Sequence, residues 1–128
     1  MQSFDWVEYL SLAEALQGIP VSGPPVGIEA ERRASVSRAY YSAFILARNR
    51  LRDVDLIPIP HTGGAHVFVS QRYQYHPDPR RARVGYLLIR LRTARNTCDY
   101  DDRVPGLPAL SRQALGWAAQ IVADLARL

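Results

Sequence analysis

Hydrophobic residues recur every three or four positions along most of this 128-residue chain, and polar residues fill the positions between them. That spacing places the hydrophobic side chains on one face of an α-helix, whereas a half-buried strand would show strict alternation. The clearest stretch is 36–51, whose predicted buried face consists of Val36, Tyr40, Ala43, Phe44, Ala47 and Leu51. The pattern therefore predicts an all-α protein whose helices pack around a shared core.

The first two predicted helices are bounded by residues that favour helix ends. Asp5 and Glu8 have the spacing of a capping box, and Phe4 with Tyr9 can form the hydrophobic staple around it. The segment GIPVSGPPVG that follows contains too many helix breakers to be anything but a loop. A second helix is predicted from near Ile28 to Asp53.

Three more helices are predicted in the rest of the chain. Residues 61–75 include AHVFV, which has the composition of a strand, but Thr62 can cap a short helix there and we favour the helix. Asp78 and Pro79 are typical of an N-cap and a first helical position. The buried face of that helix should consist of Val84, Leu87, Leu91, Ala94 and Cys98. After a turn at 105–108, the last helix should bury Leu110, Ala114, Trp117, Ile121, Leu125 and Leu128. We expect a bundle of four long helices and one short helix, forming a single domain over residues 1–128.

The composition excludes several classes of protein. No hydrophobic run approaches the roughly 20 residues that a membrane span requires, and the first ten residues carry acids where a secretion signal carries bases. We therefore expect a cytoplasmic protein with no membrane partner. Cys98 is the only cysteine, which excludes an internal disulfide and a thiol-rich metal site. A buried apolar role is favoured for it over that of a nucleophile.

Arginine alone supplies the positive charge, since the 16 basic residues include no lysine and the net charge is +4. Six arginines lie between Pro79 and Arg95 without one acidic residue. The planar guanidinium suits bidentate contact with phosphate, so this stretch favours an anionic partner. A solvated helix face is the alternative explanation.

The fourth predicted helix has two margins of different character. At about 100° per residue, Arg92, Arg95 and Asp99 lie beside the buried face, whereas Arg83 and Arg90 point nearly the opposite way and should be solvated. The first group borders apolar surface, where a second subunit can pack and where partial desolvation would strengthen a phosphate contact. For Arg95 the structural alternative is an ion pair with Asp99, one turn later.

Three segments resemble, in this order, the HEPN (higher eukaryote and prokaryote nucleotide-binding) domain. They are RAYYSAFILARNRL at 38–51, HTGGAHVFVSQRY at 61–73 and LRTARNTCDYDD at 91–102. The first is similar to the R-x-A-Y-Y-x-x-F helix of that family, and the last to the R-N-x-x-D-Y-D form of its signature helix end. The resemblance extends over nearly the whole chain. It implies a HEPN-like all-α bundle that forms a homodimer, in which signature residues from both subunits share one cleft.

Many members of that family are metal-independent RNA endonucleases, so the resemblance implies RNA or a nucleotide as the ligand. Their signature is an Arg, a polar residue, a short spacer and a His. Arg95 matches the Arg and Asn96 the polar residue, while Tyr100 stands where the His would be. These three are the candidate catalytic residues. An unperturbed tyrosine titrates near 10 and is a poor general base at neutral pH, but it can donate a hydrogen bond to phosphate or have its pKa lowered by arginines.

Arg38, Arg92 and Asp99 are further candidates for contact with nucleic acid. His61 and His66 are five positions apart, which does not match the spacing that aligns two metal ligands on a helix, and no metal or cofactor is expected. His66 could face the cleft from the third helix, although a surface or structurally satisfied histidine is favoured.

Two functions from different classes follow from these residues. In the first, the protein is a small metal-independent endoribonuclease of a toxin–antitoxin or defence system, paired with a nucleotidyltransferase partner protein that could also modify Tyr100. In the second, the same cleft recognises a nucleotide, RNA or a partner protein without cleaving anything. The first function requires Arg95 to be essential for catalysis, whereas the second predicts binding without turnover.

Overall fold

Five α-helices and no β-strand make up residues 2–128, the part of the chain that the computed structural model describes. The helices are α1 (Val7–Leu16), α2 (Ile28–Asp53), α3 (Ala65–Gln74), α4 (Pro79–Tyr100) and α5 (Leu107–Ala126). The predicted all-α bundle of five helices is therefore confirmed. Three of the helices are long, whereas α1 and α3 have ten residues each. No helix in this part of the chain is both long and apolar enough to cross a bilayer.

The start of α1 follows the predicted staple but not the predicted capping box. The rings of Phe4 and Tyr9 meet edge to face, with their centroids 5.4 Å apart. A carboxylate oxygen of Asp5 accepts the N–H of Val7 at 3.1 Å. Glu8 does not complete the box, because its carboxylate accepts the N–H of Gly27 at 2.8 Å instead and so joins α1 to the beginning of α2.

The first helix ends at Leu16, where the helical spacing of hydrophobic residues also ends. Gly18 adopts a left-handed conformation with φ of +76°, which glycine reaches without the cost that a Cβ would impose. The last helix, by contrast, begins three residues before the predicted Leu110. Pro108 lies in its first turn, where the missing N–H has no helical partner to lose, so the predicted turn at 105–108 is wrong in its second half.

The core forms where α2, α4 and α5 meet. All the residues predicted for the buried faces of α2 and α4 are buried, with Cys98 and Val84 fully so. On α5, Ala114, Ile121 and Leu125 are buried. The other three residues predicted there, Leu110, Trp117 and Leu128, are only partly buried and pack at the edge of the core.

The backbones of α3 and α4 touch at Gly85. A Cβ built on Gly85 would lie 2.2 Å from the backbone N of Gln74 and 2.6 Å from the carbonyl O of Ser70. No side chain fits between the two helices at this point, so glycine is required there for close approach. The contact holds the short α3 helix against the N-terminal half of α4.

Two ion pairs fix α4 to its neighbours. Arg81 pairs with Asp55 at 2.6 Å, and Arg83 binds the carboxylate of Asp124 on α5 through two bonds of 2.7 and 2.5 Å. Arg90 places its guanidinium 5.0 Å from the ring centroid of Trp117. Arg83 and Arg90 are exposed, as predicted, but each also contacts a side chain of α5. Asp124 is buried and needs a cationic partner, which Arg83 supplies from the neighbouring helix.

Candidate functional site

An open cleft of about 630 Å³ lies between the beginning of α3 and the C-terminal half of α4. The close contact at Gly85 holds the two helices together at one end, and the cleft occupies the space beyond it. Polar and charged side chains provide much of its lining, among them His66, Arg92, Arg95, Asn96, Tyr100 and Asp101. Four of the six residues predicted for the site thus lie together, and Arg38 and Asp99 do not line this cleft.

Arg95 is held firmly at the inner wall of the cleft. One terminal nitrogen donates to the amide oxygen of Asn96 and the other to the hydroxyl of Tyr41, both at 2.7 Å. The guanidinium lies over the Tyr41 and Tyr40 rings, 5.1 and 5.4 Å from their centroids. Its Nε is 3.6 Å from Asp99, so the predicted ion pair is present, although the shorter bonds go to neutral groups. The side chain is only 11% exposed, which fixes its geometry before any ligand arrives.

Arg92 carries a positive charge that no carboxylate balances within residues 2–128. Its Nε is buried and has no hydrogen-bond partner in that range. A guanidinium without a carboxylate partner favours the approach of an anion, because contact with the anion would balance its charge. Arg92 is thus the freest cation of the cleft, and Arg95 the more rigid one.

Tyr100 lies at the outer edge of the cleft with 72% of its surface exposed. It is the last residue of α4, and its side chain makes no hydrogen bond to another residue in 2–128. The phenol is therefore available to a ligand or to a modifying enzyme. Asn96, one turn earlier, is half-buried and orients Arg95 through its amide oxygen.

His66 lines the cleft from the first turn of α3, and it is also the structurally satisfied histidine that the sequence favoured. Its Nδ1 is 2.5 Å from the hydroxyl of Tyr40, and its ring stacks on Phe44 with centroids 4.3 Å apart. Burial lowers the pKa of His66 below the ordinary value of 6.5, and the charges of Arg92 and Arg95 lower it further. Burial raises the pKa of Tyr40 to about 12. His66 is therefore a neutral imidazole at pH 7, next to a phenol that keeps its proton.

Arg38 and Asp99 line a separate groove along α1 and α2. Arg38 is exposed, with its guanidinium 5.6 Å from the centroid of the Tyr41 ring. Asp99 accepts a hydrogen bond from the hydroxyl of Ser37 at 3.2 Å. The structure therefore separates these two predicted contacts from the cleft and leaves them behind Tyr41 and Arg95.

Arg33 fixes the end of α4 and is the important residue that the sequence did not reveal. Its guanidinium is fully buried and donates to the carbonyl oxygens of Cys98, Asp101 and Asp102, at 2.9, 2.7 and 3.2 Å. Glu29 accepts from it at 3.2 Å, and the rings of Phe4 and Trp6 lie 4.5 and 4.9 Å from it. Carbonyls at a helix end lack helical partners, so Arg33 supplies them and thereby positions Tyr100.

Cys98 and the histidines are not arranged as a thiol or metal site. Burial raises the pKa of the Cys98 thiol to about 11, which keeps it protonated and confirms the predicted buried role. Among the residues that the structure describes, no three His, Cys, Asp or Glu side chains are grouped to hold a metal ion.

No protein-family model, no curated protein and no solved structure matches this chain.

Proposed function

We propose that this protein binds single-stranded RNA in the cleft between α3 and α4 and cleaves it without a metal ion, as a cytoplasmic protein of the HEPN type. One observation carries the proposal: Arg92, Arg95, Asn96, Tyr100 and His66 all line a single open cleft. Two cations, a neutral imidazole and an exposed phenol are the groups that phosphodiester cleavage by proton transfer and charge stabilisation requires.

The cleft is suited to a phosphate group. Arg92 has an unbalanced charge and an unused Nε, and Arg95 is fixed by neutral acceptors rather than by a close bidentate carboxylate. A partly desolvated guanidinium binds phosphate more strongly than an exposed one, because water screens its charge less. The same two arginines would stabilise the extra negative charge of a phosphorane transition state.

The reaction uses the 2′-hydroxyl of the RNA as the nucleophile. In the tautomer whose Nδ1–H donates to the hydroxyl of Tyr40, His66 presents Nε2 as the acceptor for the 2′-hydroxyl proton. The 2′-oxygen bonds to the adjacent phosphorus, and the bond from phosphorus to the 5′-oxygen breaks. The leaving oxygen takes a proton from water, and Tyr100 donates a hydrogen bond to the phosphate. The products are a 2′,3′-cyclic phosphate and a 5′-hydroxyl end.

The exposed face of α4 supports a homodimer. Tyr86, Ile89, Thr93 and Tyr100 recur at helical spacing on this face, and the two apolar members, Tyr86 and Ile89, are 50% and 38% exposed. A second copy packed on this stripe would bring the two clefts close together, as the HEPN resemblance implies. It would also cover apolar surface that a lone subunit leaves in water.

A binding function without cleavage is the second candidate, and two observations favour it. Tyr100 replaces the signature His, and both terminal nitrogens of Arg95 already donate to groups of the same chain. In that case the cleft recognises a nucleotide, RNA or a partner protein as part of a regulatory module. A nucleotidyltransferase partner in a toxin–antitoxin or defence system fits either function, because the Tyr100 hydroxyl is exposed to a modifying enzyme.

Incubation with mixed RNA in the presence of a chelator tests the proposal. The wild-type protein should produce fragments that end in 2′,3′-cyclic phosphate, and Arg95→Ala should lower the rate about 100-fold or more, as the loss of one transition-state donor does. Arg112→Ala is the control, since Arg112 is exposed on α5 and the same unit of charge is lost.

If RNA stays intact across a broad panel of substrates but its retention by the protein depends on Arg95, the binding function is supported and the cleavage function is not. Absence of both cleavage and retention would overturn the assignment of the cleft to RNA. Equal rates for Arg95→Ala and Arg112→Ala would also do so.

A further inference from the structure

A second cavity adjoins the cleft at His66, and the proposed reaction makes no use of it. Its volume is about 610 Å³, and it lies between the C-terminal half of α2, the connection at 54–64 and the first turn of α3. His66 is the one residue that lines both this cavity and the cleft. A single extended ligand could therefore occupy both spaces by passing over His66.

The walls of the cavity are apolar and partly aromatic. Phe44 and His66 form a stacked pair with an interplanar angle of 18°, and the ring of Tyr41 stands edge-on to His66 at 75°. Aliphatic side chains complete the walls, among them Ile45, Pro58, Ile59 and Pro60. A flat aromatic ligand fits such a lining, because every nucleobase presents a π-face that stacks on aromatic side chains regardless of its sequence.

The charged side chains that line the cavity are arginines. Arg48, Arg52 and His61 belong to its lining, which includes no carboxylate among the described residues. Arg52 is paired with Asp53 at 2.7 Å, whereas both hydrogen bonds of the Arg48 side chain go to the neutral amide oxygen of Asn49. Arg48 therefore makes no salt bridge among the described residues, and it stands at a site with aromatic walls. A base attached to a phosphate chain complements both properties.

We infer that this cavity is a nucleobase subsite for the RNA strand whose phosphate lies in the cleft. The inference rests on the proposed function and extends it to the recognition of the substrate. With its base in the cavity, a nucleotide places its ribose beside His66 and its 3′-phosphate toward Arg92 and Arg95. That arrangement brings the 2′-hydroxyl to the imidazole that accepts its proton. The substrate class is single-stranded RNA, because a paired base is not free to leave its helix.

Calorimetric titration of the wild-type protein with nucleoside 3′-monophosphates and with ribose 5-phosphate tests the inference without any substitution. At least one nucleotide should bind about 10-fold more tightly than the base-free sugar phosphate, which is the gain that stacking of one base supplies. Equal affinities for all the nucleotides and for ribose 5-phosphate would overturn the nucleobase subsite.

Two substitutions test whether the affinity gained from the base arises in the cavity. Ala65→Trp fills the cavity from the first turn of α3 and should remove the base-dependent gain while sugar-phosphate binding persists. Ala119→Trp, on the exposed face of α5, is its control. Arg48→Gln should weaken nucleotide binding several-fold, and Arg112→Gln should leave it unchanged. Circular dichroism of each variant shows whether the helices are retained.

The outcomes separate this inference from the proposed function. Suppose that RNA binding requires Arg95 and yet is unchanged by Ala65→Trp, with nucleotides binding no more tightly than the base-free sugar phosphate. That result would overturn the subsite but not the RNA cleft. If nucleotide binding is unchanged in Arg95→Ala but lost in Ala65→Trp, the assignment of the cleft to RNA is overturned. The proposal that one strand occupies both cleft and cavity is then overturned as well.

Discussion

At the scale of single residues, His66 and Tyr100 present two different acid–base groups to the same cleft. Tyr100 stands where the HEPN resemblance would place a His, and it is an exposed phenol at the rim of the cleft. His66 comes from another helix, and its burial beside two arginines keeps it neutral. A neutral imidazole can accept a proton at pH 7, so α3 offers the cleft a proton acceptor that the residues of α4 do not supply.

The dependence of the cleavage rate on pH should reveal His66. Because its pKa is lowered, the imidazole is still unprotonated at the ordinary histidine value of 6.5, and the rate should fall only when the pH drops below that value. His66→Gln should lower the rate at pH 7 by about 100-fold or more and remove this acidic decline.

His76→Gln is the control for that experiment. His76 accepts the N–H of Asp78 before α4 and lines neither the cleft nor its neighbouring cavity, so its loss should leave the pH profile unchanged. Persistence of the acidic decline in His66→Gln would show that another group accepts the proton.

The sequence predicted the site residues that lie on one helix, but not those whose contacts join distant parts of the chain. Arg92, Arg95, Asn96 and Tyr100 could be grouped because helical spacing alone places them near one another. Arg33 bonds to carbonyls 65 to 69 positions away, and Tyr40 meets His66 across 26 positions. No local pattern encodes such contacts. Arg38 was misplaced for the same reason, since it lines a groove with residues of α1 and not the cleft.

At the scale of helices, the bounds of α2 and α4 followed from periodicity and from residues such as Asp78, whose carboxylate accepts the N–H of Arg80 at 2.9 Å. The contact between α3 and α4 could not be predicted. Gly85 lies inside a hydrophobic pattern, where a glycine only weakens a helix in isolation. Glycine is needed at this position only because the backbone of Ser70 and Gln74 lies directly against it. The position of the cleft depends on that contact.

Gly85→Ala should therefore destabilise the protein, by about 3 kcal/mol, because a Cβ 2.2 Å from a backbone atom forces two helices apart. Gly116→Ala is the matched control in the middle of α5, where nothing lies within 4 Å of the added carbon. It should stabilise the protein by about 0.5–1 kcal/mol, since alanine favours a helix over glycine. Denaturant unfolding of both variants measures the difference. Equal free energies of unfolding would mean that α3 and α4 are less closely packed than described.

At the scale of the whole molecule, the exposed stripe on α4 connects the fold to the proposed dimer. The side chains of Tyr86 and Ile89 lie on the same face of α4 as Tyr100, and of these three only Tyr100 lines the cleft. Periodicity predicted which faces of the helices are buried in one chain. It could not tell whether a half-exposed apolar residue meets water or a second copy, because both situations give the same pattern.

Light scattering should give twice the chain mass of 14.4 kDa, and Ile89→Asp should convert the protein to monomer while the helices persist. Val122→Asp is the control, because Val122 is 39% exposed on α5 and Ile89 is 38% exposed on α4. A wild-type monomer that still cleaves RNA would show that one cleft suffices.

The buried guanidinium of Arg33 has a consequence for genetics. It holds the carbonyls that end α4, and Phe4 and Trp6 enclose it, so the N-terminal segment and the cleft share one support. Random mutagenesis scored by loss of activity would return positions 4, 6 and 33 together with those of the cleft. A geneticist reading such a map without the structure would assign chemistry to three positions whose contribution is mechanical.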